Sequence, residues 1–137
     1  MNADDTKIAV VVRADLPVWQ KLNVTAFAVS GIAATAPQTV GEPYVDASDV
    51  RYLPMFGQPV LVFGGTAAEL RKAHRRALER GLAIAVYTEE LFGTFNDEDN
   101  RAAVRKVVTE DLSLAGMSVF GTRADVDAAL KGLSLHR

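Results

Sequence analysis

Two groups of polar side chains stand beside apolar blocks in a pattern that could support chemistry. Asp15 follows the valine-rich run 7–13 closely, and Lys21 and Asn23 come soon after it. Thr88 and Glu89 close a later apolar block, 82–87. In an open α/β sheet, residues just beyond the carboxyl ends of parallel strands line the usual ligand crevice, so these five meet at one cleft if the two strands run the same way. A lysine ammonium there would polarise a carbonyl and stabilise the developing oxyanion, while a carboxylate acts as base and guides a water. Lys21 and Glu89 are therefore the catalytic candidates. Asp15, Asn23 and Thr88 are the candidates for binding a small polar ligand.

The setting of Lys21 adds to its interest. Residues 22–41 contain no Asp, Glu, Lys or Arg, so Lys21 is the last charge before an element that must lie largely inside the protein or against a partner. A cation at a helix start opposes the positive end of the helix dipole, which suits a site visited by an anion or polar group. The plain alternative is a solvated lysine, since the dipole penalty in a wet first turn is small.

Other chemistries find little support. The chain has no cysteine and two histidines, His74 and His136, which removes disulfides, thiolate nucleophiles and Cys-based metal sites. No H-E-x-x-H or G-x-S-x-G pattern occurs, and Gly64-Gly65 before a helix lacks any nucleotide fingerprint and reads as a tight turn. No cofactor or metal is expected. Arg71, Lys72, Arg75, Arg76 and Arg80 form a basic helix face without interleaved aromatics for base stacking, and His74 borders its apolar stripe as a packed residue. The net charge of −2 provides no global attraction to nucleic acid, so a nucleic-acid partner is not expected.

The elements that must position the candidates follow from periodicity. At 137 residues and 49% hydrophobic content, the chain fits one α/β domain over 1–137, with 1–6 as a flexible lead-in. That lead-in carries Asp4 and Asp5 and has no signal-peptide character, which fits a cytoplasmic protein. The run 7–13 is a strand buried on both faces, and Pro17 opens a helix that is apolar nearly all round, to be buried between the sheet and something else, such as a second subunit. The uncharged segment matches a membrane span in length but holds Asn23, Thr25, Ser30, Pro37 and Gln38, so it reads as core. Prolines 37, 43, 54 and 59 mark an irregular connection in which Tyr44 or 50–53 forms a short strand. This loop covers a cleft, serves an interface or is a plain surface excursion, and a homo-oligomer is expected.

Residues 60–63 form a second strand. Thr66 and Glu69 form a capping box for a helix with Leu70, Ala73, Ala77 and Leu78 inward, ended by Gly81. The third strand is 82–87. Asn96 caps a helix running to Lys106, with Ala103, Val104, Val107 and Val108 inward. A short final strand, 118–121, leads to a helix capped by Thr122, with Val126, Ala129, Leu130 and Leu133 inward and a frayed end. Alternating strands and helices give an α/β class.

The opening Val11-Val12-Arg13-Ala14-Asp15-Leu16, followed by a lysine at the start of an Ala-rich helix, resembles that of type II peptidyl-tRNA hydrolases. Gly57-Gln58-Pro59 before the second strand, the Glu69-Leu70 helix, 77–81 with Leu82, and Val119-Phe120-Gly121 match that family's layout over roughly residues 7–133. The resemblance implies a three-layer α/β/α sandwich with a mixed sheet of about four strands. It also carries the family's lysine onto Lys21, and Glu89 as a substitute for its aspartate. The departures bear on activity. Lys21 follows Gln20 rather than a glycine, and Thr88 to Thr94 replaces the family's Asp-Ala-Gly and Pro-Gly-Thr segments. The chain looks like the uncharacterised bacterial family of unknown function that shares this fold while lacking much of the hydrolase site. Residues 89–111 hold seven acids against three bases, a net of −4, which would repel tRNA at that edge. The leading expectation is a small polar ligand near Lys21 without tRNA activity. The alternatives are an ester hydrolase of peptidyl-tRNA or a related aminoacyl ester, and an oligomeric interaction module.

Overall fold

In the computed structural model, which describes residues 5–137, the valine-rich opening forms strand β1 (Thr6–Arg13), with Ile8 to Val12 fully buried. Both faces of this strand are covered, which is why it lacks polar alternation. Of the expected lead-in, residues 1–4 lie outside the described residues, while Thr6 belongs to the strand and is buried. Helix α1 (Val18–Thr35) follows, with Pro17 as its N-cap residue. The connection after it contains β2 (Tyr44–Val45) and β3 (Arg51–Tyr52), paired as a small antiparallel hairpin.

Strand β4 (Val60–Gly65), helix α2 (Ala67–Glu79) and strand β5 (Ala83–Thr88) come next. They are followed by a 3-10 turn (Glu89–Gly93), helix α3 (Asp97–Arg105), strand β6 (Leu114–Thr122), helix α4 (Arg123–Ala129) and strand β7 (Ser134–Leu135). Among the described residues there are four α-helices and a five-stranded mixed sheet in the order β5-β6-β1-β4-β7. Strand β1 pairs parallel with β4 and antiparallel with β6, and β6 is antiparallel to β5. Hence β1, β4 and β5 point the same way and bring Arg13, Gly65 and Thr88 to one edge.

The local signals act as expected at the caps. Thr66 and Glu69 form the reciprocal capping box, Asn96 accepts from the Asp99 amide at 2.8 Å, and Thr122 accepts from the Asp125 amide at 3.2 Å. Gly81 ends α2 with a φ of 66°, a left-handed geometry that side-chain-bearing residues adopt only with strain.

Several expectations are corrected. The sheet has five strands rather than about four, because the chain after α4 returns to pair Leu135 with Phe63 instead of fraying. The short final strand becomes the nine-residue β6, whose small residues Ala115 and Gly116 let α1 lie close; a Cβ on Gly116 would meet Val24 at 2.5 Å. Gly64-Gly65 is strand rather than turn, with Gly65 packed beneath Leu133. Leu78 is exposed and His74 takes its place in the buried stripe of α2, where burial pushes the imidazole pKa down. The inward stripe expected after Asn96 is only half-buried: Ala103, Val104 and Val107 lie on the less exposed side, no residue of α3 is fully buried, and Val108 is exposed.

Helix α1 is also more open than its composition suggests. Val24, Ala28 and Ile32 are buried on the sheet, and the Ser118 hydroxyl donates to the Ala28 carbonyl at 2.7 Å. On other faces Val18 (70% exposed), Trp19 (61%) and Leu22 (66%) meet solvent. On the opposite face of the sheet, α2 and α4 seal a core around Leu70, Met117, Val119 and Val126.

Candidate functional site

The edge formed by the ends of β1 and β5 is organised by a residue that its sequence context did not single out. The Arg13 side chain is 15% exposed, and its Nε donates to Asp15 Oδ1 at 2.9 Å while its Nη1 donates to Glu89 Oε1. Arg13 thus ties together two of the predicted site residues from distant parts of the chain. Hydrogen bonds to Asp15 and Glu89 raise the guanidinium pKa further, and Arg13 in turn holds the Asp15 carboxyl below its ordinary value. Lys21 is partly exposed in the first turn of α1. Among the described residues it forms no ion pair, although its charge makes a small contribution to holding Asp15 ionised.

Thr88 is buried, and its hydroxyl has no hydrogen-bond partner within 3.5 Å. It lies near enough to the Glu90 carboxylate to help lower that group's pKa, behind the stronger effect of the Glu90 backbone N–H. Ser113 Oγ completes the Glu90 set, at 3.2 and 3.1 Å from the two carboxylate oxygens. Glu90, rather than Glu89, is the carboxylate held by neutral donors.

Asn23 faces elsewhere. Its Oδ1 accepts from the Tyr87 hydroxyl at 3.1 Å, and burial pushes the Tyr87 phenol pKa up. The Tyr87 ring belongs to a chain of four. Trp19 and Phe92 meet edge-on with centroids 5.9 Å apart, Phe92 and Tyr87 lie 4.9 Å apart, and Tyr87 and Phe27 lie 5.9 Å apart. Trp19, Asn23 and Phe27 recur every four residues, so they form one stripe of α1, offset from the buried stripe Val24, Ala28 and Ile32. That spacing was readable in the sequence, but nothing local distinguished it from an ordinary core stripe.

The stripe borders concave space. A cavity of about 670 Å³ lies between α1, β5 and α3, with Phe27, Ala28, Ala85 and Tyr87 in its wall and Asn100, Arg101 and Arg105 along α3. A second cavity of about 390 Å³ shares Phe27, Tyr87 and Asn100 with it and reaches Asn23 and Phe92. Of the five predicted site residues, Asn23 lines this space. Asp15, Lys21, Thr88 and Glu89 stand outside the lining, with Asp15 and Glu89 gathered on Arg13. Among the described residues no group of three His, Asp or Glu side chains could hold a metal ion, and no helix is long and apolar enough to cross a membrane.

Residues 6–137 match the model of a family described as Protein of unknown function (DUF2000). The chain belongs to this family. A solved structure of a protein of unknown function from Agrobacterium tumefaciens strain C58 is 44% identical to the chain, covers 97% of it and 98% of its own length, and superposes with a TM-score of 0.95. No curated protein matches the chain. The sequence resemblance to a family of unknown function therefore stands at this coarser level.

Proposed function

We propose that this DUF2000 protein binds a small molecule in the paired cavities between α1, β5 and α3. The observation that carries the reading is the 670 Å³ cavity, which falls within the range of ordinary small-molecule sites and is walled mainly by apolar side chains with a few polar groups at its border. The Asn23–Tyr87 hydrogen bond fixes the tyrosine ring that the two cavities share. Asp15, Lys21, Thr88 and Glu89, gathered around the neighbouring strand ends, form a polar flank to which a ligand's polar group could extend. The type II peptidyl-tRNA hydrolase-like fold is part of this proposal, supported by the strand, Asp15, Lys21 and helix opening and by the parallel pairing of β1 with β4.

Hydrolysis of peptidyl-tRNA or of an aminoacyl ester is the weaker use of that fold. The Glu89 carboxylate is engaged by Arg13, which lowers its fitness as a free base, and the acidic segment 89–111 disfavours tRNA. A small-molecule screen followed by isothermal titration calorimetry tests the binding reading. Saturable ligands should respond in the wild type and fail in Ala85→Trp, which fills the cavity. A Lys21-dependent release of amino acid from an aminoacyl ester would favour the hydrolase instead.

One observation favours a second reading, a homo-oligomer. Residues 41–55 form an arm exposed along its whole length, carrying Tyr44, Val45, Val50, Tyr52, Leu53 (85% exposed) and Met55, and the outer side of α1 adds Val18, Trp19 and Leu22. So much exposed apolar surface on one chain suits a subunit contact. Sedimentation that shows only monomer at micromolar concentration removes this reading.

A further inference from the structure

We infer that the ligand of the large cavity is a monocarboxylate with an aromatic body, its ring set among Phe27, Ala85 and Tyr87 and its carboxylate on Arg105. This inference rests on the cavity reading above and adds the chemical class. Helix α3 supplies the first reason. It borders the cavity with Ala102 and Val104, and none of its nine residues is fully buried, so part of the apolar side of this helix faces open space. An occupant that completes this packing must be apolar through most of its body. Tyr87 and Phe27 already meet at an angle of 64°, an edge-to-face geometry that a third ring can extend.

The charges along α3 supply the second reason. Asp97, Arg101 and Arg105 recur at four-residue spacing on one side of the helix and all border the cavity. Asp97 and Arg101 pair with each other, while Arg105 has no ion pair or hydrogen bond among the described residues. Arg105 also stands at the far end of the helix from the acids Asp97, Glu98 and Asp99, about 12 Å from Asp97 along the axis. The remaining polar groups are committed as acceptors. Asn100 Oδ1 faces the Thr94 hydroxyl, which is shared with the Leu91 carbonyl, and Asn23 Oδ1 takes the Tyr87 hydroxyl, which leaves the side-chain N–H groups of Asn23 and Asn100 and the Arg105 guanidinium as free donors. A border whose spare capacity is a cation and amide donors suits a carboxylate, and an arginine fork matches its two oxygens.

The experiment uses three probes on the full chain, with isothermal titration calorimetry as readout: 4-phenylbutanoate, its neutral amide, and naphthalene. The acid should bind wild type about tenfold more tightly than the amide, as expected for one partly exposed charge-assisted contact. Arg105→Gln should erase that preference, Arg105→Lys should retain part of it, and Ala85→Trp should abolish binding of all three. Equal binding of acid and amide, or a preference that survives Arg105→Gln, overturns the carboxylate assignment while the cavity stands. Naphthalene binding that is lost in Ala85→Trp, with no response to the acid, likewise overturns the carboxylate and leaves the cavity in place. Failure of all three probes on folded wild type overturns the binding reading and this inference with it.

Discussion

The two faces of the sheet are built to different standards. Beneath α2 and α4, side chains from β1, β6 and both helices close into one core in which Leu70, Met117, Val119 and Val126 lose all contact with water. Beneath α1 the packing is tight only along a single stripe. Val24 and Ser118 fill the space beside β1 and β6, but toward β5 the helix turns Phe27 to a cavity, and α3 closes over it without burying a residue. A chain that can seal one face completely has the apolar residues to seal the other. The open side is therefore where binding is to be sought, and the closed side is where stability resides.

The sharpest way to break that contrast is a pair of equal truncations. Leu70→Ala removes a side chain with no exposure from the sealed core and should cost about 2–5 kcal/mol, whereas Leu22→Ala on the open side should change stability by less than about 0.5 kcal/mol. Urea unfolding of both variants reads the difference. Comparable losses would mean that α1 packs against a part of the molecule, or another molecule, that its exposure conceals.

A second substitution probes the one place where the open side is tight. A Cβ on Gly116 would lie 2.5 Å from Val24 Cγ1 and 2.8 Å from the Val11 carbonyl oxygen, and the backbone of a central strand cannot withdraw freely. Gly116→Ala should destabilise by about 1–3 kcal/mol through overpacking, and Val24→Ala in the same chain should recover part of that loss by removing the clashing methyl. Thermal unfolding of the single and double variants checks it. Strictly additive losses would exclude Val24 as the obstacle.

The helix caps give a smaller and more selective comparison. Thr66→Ala removes a capping box from a helix whose inner stripe is buried, so about 1 kcal/mol of global stability should be lost. Asn96→Ala removes the equivalent bond from α3, a nine-residue helix with no buried side chain. Such a short helix is marginal without tertiary packing, so its loss should appear as faster amide exchange across 97–105 with little change in the global midpoint.

What was legible in the sequence divides along the same line. Thr66, Gly81, Asn96 and Thr122 do their work within four residues of themselves, and their roles can be read from spacing alone. Strand β1 was legible because burial on both faces leaves an unbroken apolar run. Arg13 was not, because its hold on Glu89 spans 76 positions and depends on β1 and β5 running the same way with β6 between them. The Trp19, Asn23 and Phe27 stripe had a visible period, but whether such a stripe meets core or cavity depends on what α3 brings over it. The exposure of α1 on a single chain is illegible for a related reason: an uncharged helix reports low polarity, and polarity does not say whether a neighbour is present.

Acid should produce the smallest of these effects, and its sign follows from the carboxylates at the strand ends. The Asp15 carboxyl is held below its ordinary value of 3.8 chiefly by its hydrogen bond from Arg13, and that of Glu90 below 4.5 chiefly by its own backbone N–H, with Thr88 and Ser113 adding to it. A carboxyl whose pKa is lower in the folded state than in the unfolded one contributes stability that is fully present above the unfolded value and is lost as pH falls through the folded value. Both groups should therefore leave stability unchanged from about pH 7 to 5 and withdraw their contribution below about pH 4.5. The double variant Asp15→Asn, Glu90→Gln should start slightly less stable at neutral pH and fall less steeply in acid, so the two urea-midpoint curves converge as pH drops. Because both side chains are largely solvated, salt should shrink the Asp15 part, which depends on the Arg13 charge, more than the Glu90 part, which depends on neutral donors. Curves that stay parallel into acid would show that neither carboxyl is held by the edge that Arg13 and Ser113 organise.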